Sequence, residues 1–218
     1  FTGWAKDNLL SQKLLHADET TTQVKRKRFH LHGVSSKDTT LIELHKGRGK
    51  EAVKSMGVIP KFTGKLVHDC YAMYFGYPAE DIICNAHLQR ELEYFCTLEK
   101  YNWAHQMKIY LYSLYLEVES LKQRDKKRRH YKDFNEVKKH YRKIPFTNNQ
   151  IERDFRMSKV HLKISGCFRS EEMARNWALM RSFISTLKKR NIPVFDSIKI
   201  LADPYQKAPI YSILGPPS

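Results

Sequence analysis

Three acids in this chain stand in surroundings where an acid is unusual, two at strand positions and one in a row of cations. LLHADETTTQV (residues 14 to 24) brings apolar residues up to Asp18 and Glu19 and then enters a threonine run of high strand propensity. GKLVHDCY (residues 64 to 71) reads as a short buried strand ending at Asp69. If the two strands are neighbours, Asp18 and Asp69 meet at one point of a sheet, which is costly unless metal ions neutralise them. The same acids also fit plainer roles, Asp69 closing a strand end and Asp18 bonding a turn.

The third acid lies in TNNQIERDFRMSKVHLKISGCFR (residues 147 to 169), just after Pro145. Thr147 and Gln150 have the spacing of a capping box, which starts a helix here. Ile151, Phe155, Ser158 and Leu162 form a core stripe, and Glu152, Arg156, Lys159 and Lys163 repeat that spacing one residue later. Glu152 therefore sits in a row of cations. Such a row also describes a surface helix laced with ion pairs, worth about 0.2–0.5 kcal/mol each.

The elements that must position these acids follow from periodicity. Residues 14 to 24, 29 to 36 and 39 to 47 read as three consecutive antiparallel strands. GKEAVKSMGVIP then turns helical, with Ala52, Val53 and Met56 inward and Gly57 near its end. After the strand that ends at Asp69, DIICNAH (residues 81 to 87) reads as a strand running into a helix. This order describes a mixed sheet with helices on its faces.

From His87 to about Arg128 the period is helical throughout. Leu88, Leu92 and Phe95 make a short stripe, and Trp103, Met107, Tyr110, Leu114 and Leu121 a longer one, read as core. RDKKRRHYK (residues 124 to 132) reads as a solvated tip or as a contact to a DNA backbone. Beyond the Glu152 helix, Ser170 caps another, with a seam of Met173, Trp177, Met180, Ile184 and Leu187 stopped by Asn191 and Pro193. A last helix runs from about Val194 to Leu201.

Composition narrows the partners. The 218 residues are 41% hydrophobic, enough for a real core, and Lys plus Arg exceed Asp plus Glu by 39 − 23 = 16. That excess makes a polyanion the expected partner, and 12 Tyr, 11 Phe and 3 Trp argue against a disordered basic tail. No apolar run approaches the roughly 18 residues of a spanning helix and no signal peptide opens the chain, so the expected setting is the cytoplasm, with the nucleoid. Cys70, Cys84, Cys96 and Cys167 show no CxxC pairing, and reduced thiols are expected. Phe1 is no initiator, so the chain reads as a piece of a longer protein.

HADET (16 to 20), FTGKLVHDCYAMY (62 to 74), ICNAHLQREL (83 to 92) and FTNNQIERDFRMSKVHLKISGCFRS (146 to 170) together resemble the catalytic domain of transposases of the insertion-sequence-66 family. WAHQM (103 to 107) and RSFISTLKKRNIP (181 to 193) extend the resemblance over nearly the whole chain. It implies an α/β, RNase H-like fold, a mixed five-stranded sheet flanked by helices with a helical insertion before the last catalytic helix. The expected division is a first core part over residues 1–86, an insertion over 87–142 and C-terminal core helices over 143–218.

The resemblance also implies a DDE enzyme in which Asp18, Asp69 and Glu152 are the catalytic, metal-holding carboxylates. Two Mg2+ ions, replaceable by Mn2+, would serve cleavage at a transposon end and attack of the freed 3′-hydroxyl on target DNA. Cys84 and His87 match a C-x-x-H element of related enzymes and are expected to support the site. Read as half of a zinc site they lack a second pair. Arg90, Arg153, Arg156, Lys159 and Lys163 are the expected DNA contacts, and assembly on DNA implies a homo-oligomer without a membrane partner. Two other readings stand beside this one: an RNase H-like nuclease or resolvase that cuts without joining, and a transposase-derived DNA-binding protein without catalysis.

Overall fold

The computed structural model describes residues 1–98, 102–125, 145, 147–203 and 209–217. In chain order, α1 (Thr2–Leu10), β1 (Leu14–Val24), β2 (Lys27–Ser35), β3 (Thr40–His45), α2 (Lys50–Met56), β4 (Lys65–His68) and β5 (Glu80–Ile83) come first. They are followed by α3 (Asn85–Thr97), α4 (Asn102–Asp125), α5 (Asn149–Ser165), α6 (Glu171–Lys189), α7 (Val194–Ala202) and α8 (Ile210–Leu214). Two compact units result, Phe1–Ile82 with Asn149–Ser218, and Ile83–Asn148.

The sheet has the order β3-β2-β1-β4-β5. β1, β2 and β3 form an antiparallel meander, and β4 lies parallel to β1. The crossover between β3 and β4 runs through α2, which Gly57 ends in the left-handed conformation at φ 73°. Both faces of the sheet are covered. Leu15, Ala17, Val34, Leu41 and Leu66 pack with Trp4, Leu9, Val53 and Met56. On the other face Val24, Phe29, Leu31, Ile42 and Leu44 pack with Ile151, Phe155, Ala174 and Ala178. This is the RNase H-like sheet that the resemblance implies.

β3 is an edge strand, and α6 seals it. Ile42 N–H donates to Ser182 Oγ at 2.7 Å and Thr40 N–H to Thr186 Oγ1 at 3.0 Å, so side-chain hydroxyls occupy donors that would otherwise invite another strand. That close approach explains a departure from the expected seam. α6 buries Ala174, Ala178, Ser182, Phe183, Thr186 and Leu187, whereas Met173 and Met180 stay exposed. Small and hydroxyl-bearing residues fit against strand backbone; long apolar ones do not. Ser170 caps the helix as expected, its side chain accepting from Met173 N–H at 3.1 Å.

α5 begins at Asn149, two residues past Thr147, and the capping box does not form. The Gln150 amide reaches instead to the Ser36 carbonyl and to Ser35 Oγ, at the end of β2. Its apolar stripe is as expected, with Ile151, Phe155 and Ser158 buried. One turn beyond its start, Asp154 accepts from Ser35 Oγ (2.8 Å), Thr40 Oγ1 (3.0 Å), Ser185 Oγ (2.6 Å) and Lys189 Nζ (2.8 Å). One carboxylate thereby joins β2, β3, α5 and α6.

In the second unit α3 and α4 pack through Leu92, Ala104 and Leu111, with Leu88 and Cys96 beside them. The expected core stripe is displaced: Trp103, Met107 and Tyr110 are 52%, 45% and 55% exposed, while Ala104, Leu111 and Val118 are buried. Ala104 lets the two helices approach closely, a choice that residue hydrophobicity does not announce. The basic run from Arg124 to Lys132 lies outside the described side chains. Among the described residues no helix is long and apolar enough to cross a membrane.

Candidate active site

β1 and β4 pair as Leu14↔Lys65, Leu15↔Leu66 and His16↔Val67, a constant offset of 65 − 14 = 51. Continued by two residues, that register sets Asp18 beside Asp69, which stands just past the end of β4 (69 − 18 = 51). Both acids are half-buried. Asp18 Oδ1 accepts from Glu19 N–H at 2.8 Å and Asp69 Oδ1 from Tyr71 N–H at 3.1 Å. Asp18 pairs with Gly33 across β2, and Gly33 with Ile42, which places Asp18 on the sheet face that carries α5.

The buried Tyr74 phenol reports the charge gathered here. Its hydroxyl donates to Glu19 Oε2 at 2.9 Å. Burial, then the charge of Glu19, Asp18 and Asp69, push its pKa well above the usual tyrosine value. Arg48 answers part of that charge. Its Nε–H donates to Glu19 Oε1 at 2.7 Å, its NH2 bonds the same oxygen, and its guanidinium lies 4.3 Å from the Tyr71 ring centre. Burial works against the charged form, but Glu19 first, then Tyr71 and Asp69, hold the Arg48 pKa above its ordinary value.

Glu152 is half-buried in the first turn of α5, a helix that packs on β1 and β2. Gly33 makes that packing possible. A Cβ there would stand 2.7 Å from both Ile151 Cδ1 and Phe155 Cζ, so a larger residue beside Asp18 would force these two side chains, which flank Glu152 and Asp154 on α5, to shift. A cleft of about 360 Å3 is lined by Asn149, Glu152, Arg153, Arg156 and Lys159. Three of the expected DNA contacts thus share a cleft with the acid, while Lys163 is exposed further along the helix. Among the described residues, no three His, Cys, Asp or Glu are grouped so as to hold a metal ion as they stand.

In the second unit Cys84, buried just before α3, accepts from Asn148 N–H at 3.1 Å. His87 N–H bonds the Cys84 carbonyl at 3.1 Å. Burial raises the thiol pKa, but the hydrogen bonds of His87 and Asn148 outweigh it and hold the thiol below its usual value. Within this unit Cys84 thereby links the start of α3 to Asn148. Arg90 is exposed, its Nε–H donating to the Ala86 carbonyl at 3.3 Å.

Sequence reasoning missed Glu19, Arg48, Tyr74 and Gly33. Glu19 carried a signal, an acid beside Asp18 on a strand; Arg48 carried a weaker one, a cation between Gly47 and Gly49. The Arg48 loop is held by His32, whose Nε2 lies 3.1 Å from the Gly47 carbonyl. Burial, with His45, His30 and Arg48 nearby, lowers the His32 pKa to about 4 despite that bond. The unfolded chain therefore binds the proton more readily, and the stability this neutral ring contributes is full above pH 6.5 and lost as pH falls towards 4. That loss is expected to be about 3 kcal/mol. Urea titrations at pH 7 and pH 4.5 should show a steeper loss in wild type than in His32→Gln; equal losses would refute it.

A family model described as Transposase IS66 family matches residues 3–140, a span that holds Asp18, Asp69, Cys84, His87 and Arg90 and ends before Glu152. No curated protein matches the chain.

Proposed function

The chain belongs to the Transposase IS66 family, and from that premise we propose that it is the catalytic domain of a DDE transposase, which cleaves DNA at a transposon end and joins the freed 3′-hydroxyl to target DNA. Asp18, Asp69 and Glu152 are its catalytic carboxylates. The observation that supports this reading is the β1–β4 register, which, continued two residues past its last pair, brings the half-buried Asp18 and Asp69 level with each other, Asp18 being on the face where α5 packs. Residues 87–142 are read as an insertion between the second acid and the third.

The donors fit a divalent cation. Mg2+ is commonly held by one or two carboxylates together with substrate phosphates, and Asp18 and Asp69 each accept a backbone N–H that aims the carboxylate. When bound, a pair of such ions activates the attacking oxygen and stabilises the departing one. In the first step water adds to phosphorus and the 3′-oxygen leaves as a hydroxyl. In the second that hydroxyl attacks a target phosphodiester and displaces its 3′-oxygen. Arg153, Arg156 and Lys159 line the cleft beside Glu152 and bind the phosphates that bring the reacting bond to the acids. Cys84 and His87 act by holding Asn148. The protein would meet its DNA in the cytoplasm, as a homo-oligomer assembled on the transposon ends.

The test is a joining assay with the full-length protein, a pre-cleaved end bearing a 3′-hydroxyl, and plasmid. Joined product is expected with Mg2+ or Mn2+ and none after chelation. Cleavage of uncut ends without joining of pre-cleaved ones would make the protein a nuclease instead.

A further inference from the structure

The β1–β2 turn consists of Lys25 and Arg26, both in the left-handed region at φ 49° and 62°. Apart from Asn191 they are the only non-glycine residues with positive φ among the described residues. A two-residue hairpin with positive φ at both positions is the place where Asn-Gly is favoured, because other side chains are strained there. Lys and Arg bring no local hydrogen bond that would offset this strain. Strain of this kind points to a use for the side chains that stand there.

The turn is also prevented from relaxing. Lys25 N–H donates to the Phe168 carbonyl at 2.9 Å, and Phe168 N–H to the Gln23 carbonyl at 2.8 Å. The Phe168 ring in turn stacks on His161, centres 4.2 Å apart, and packs on Trp177 at 5.6 Å. Lys25, Arg26, Lys27 and Arg28 are all exposed. An adjoining groove of about 440 Å3 is lined by Lys25, Lys27, Arg28 and Lys46 with one acid, Glu171. Glu171 is already shared between Lys46 at 3.4 Å and Arg175 at 3.6 Å. Four consecutive cations are thus presented on a rigid tip with the neighbouring acid occupied.

We propose that this hairpin tip is a phosphate-backbone contact for duplex DNA, separate from the cleft beside Glu152. The proposal rests on the transposase reading above. The tip begins seven residues along the chain from Asp18 (25 − 18 = 7), about 23 Å at the rise of a strand. It is therefore beyond the reacting phosphate and holds a flanking part of the duplex. Two cations placed where Asn-Gly would be more stable are the mark of charge kept at the expense of fold.

Two double variants of the full-length protein test it, Lys25→Asn with Arg26→Gly and Lys25→Gln with Arg26→Gln, by Tm and by salt titration of duplex binding without divalent ions. The Asn-Gly variant is expected to melt higher than wild type and yet bind DNA more weakly, its salt slope smaller by about 1.8. A salt rise from about 50 to 200 mM then costs it about twelvefold less affinity than it costs wild type. The Gln-Gln variant should show the same slope without the gain in Tm. Wild-type slopes in both variants would overturn the proposal, as would polyglutamate competing as well as duplex at equal charge. Failure of wild type itself to bind duplex DNA would sink the transposase reading, a separate outcome.

Discussion

Exchanging Glu152 for glutamine is expected to lower both cleavage and joining on the order of a thousandfold or more, because the amide keeps the shape of the side chain and removes the charge that a divalent cation needs. DNA binding should survive. Glu152 shares its cleft with Arg153, Arg156 and Lys159, so neutralising it removes repulsion of phosphates, and affinity at fixed salt should stay equal or rise. Lys159→Ala should do the converse, weakening binding and reducing the salt slope by about one unit. A filter-binding salt titration run beside the metal-dependent joining assay separates the two. Near-normal joining by Glu152→Gln would remove Glu152 from the catalytic set.

The second large effect is expected at Asp154, two residues away, where the readout is stability. Its side chain is 8% exposed and that of Lys189 15%, so Asp154→Ala removes the carboxylate that three hydroxyls share with a buried cation and leaves Lys189 only the neutral oxygens of Ser35, Ser36 and Thr40. Breaking one partner of such a pair costs about 3–5 kcal/mol. Burial already lowers the Lys189 pKa, with Asp154 opposing it. Without Asp154 that depression deepens, the unfolded chain binds the proton more readily, and stability of the variant should rise as pH climbs above neutrality. Adding Lys189→Met should recover much of the loss, since an apolar replacement leaves no buried charge. Urea unfolding of the single and double variants measures both. A loss under about 1 kcal/mol in the single variant would mean that the pair does not hold α5 to β3 and α6.

The strands β1 to β3 and the stripe of α5 were legible because each leaves a short-range trace. Alternation marks β1 to β3, and the 3.6-residue period shows Ile151, Phe155 and Ser158 as the buried face of α5. Asp18 and Asp69 stood out as acids where strands seldom carry them. Hydrophobicity by itself misjudged the helices that meet a partner closely. α6 lies against a strand edge and α4 against α3, so Ala, Ser and Thr were buried where Met173, Met180, Trp103 and Tyr110 had been expected. Thr147 and Gln150 matched a local motif, yet Gln150 found a better acceptor on a segment 114 residues away.

The remaining features are pairings between distant residues, and no local pattern encodes them. Arg48 on Glu19, Asp154 on Lys189, and Gly33 under Ile151 exist only once the sheet and helices are assembled. The sequence by itself determined the apolar stripe of α5 and the strand that carries Asp18, because side-chain period is a property of a single element. Only the tertiary structure decided that the β1–β4 register, which pairs 16 with 67, runs on towards 18 and 69, that α5 packs on β2 over a glycine, and that a strained Lys-Arg turn is pinned by Phe168. Register, approach and strain belong to pairs of elements, and they are fixed by which backbone donors and surfaces remain unsatisfied when the pieces meet.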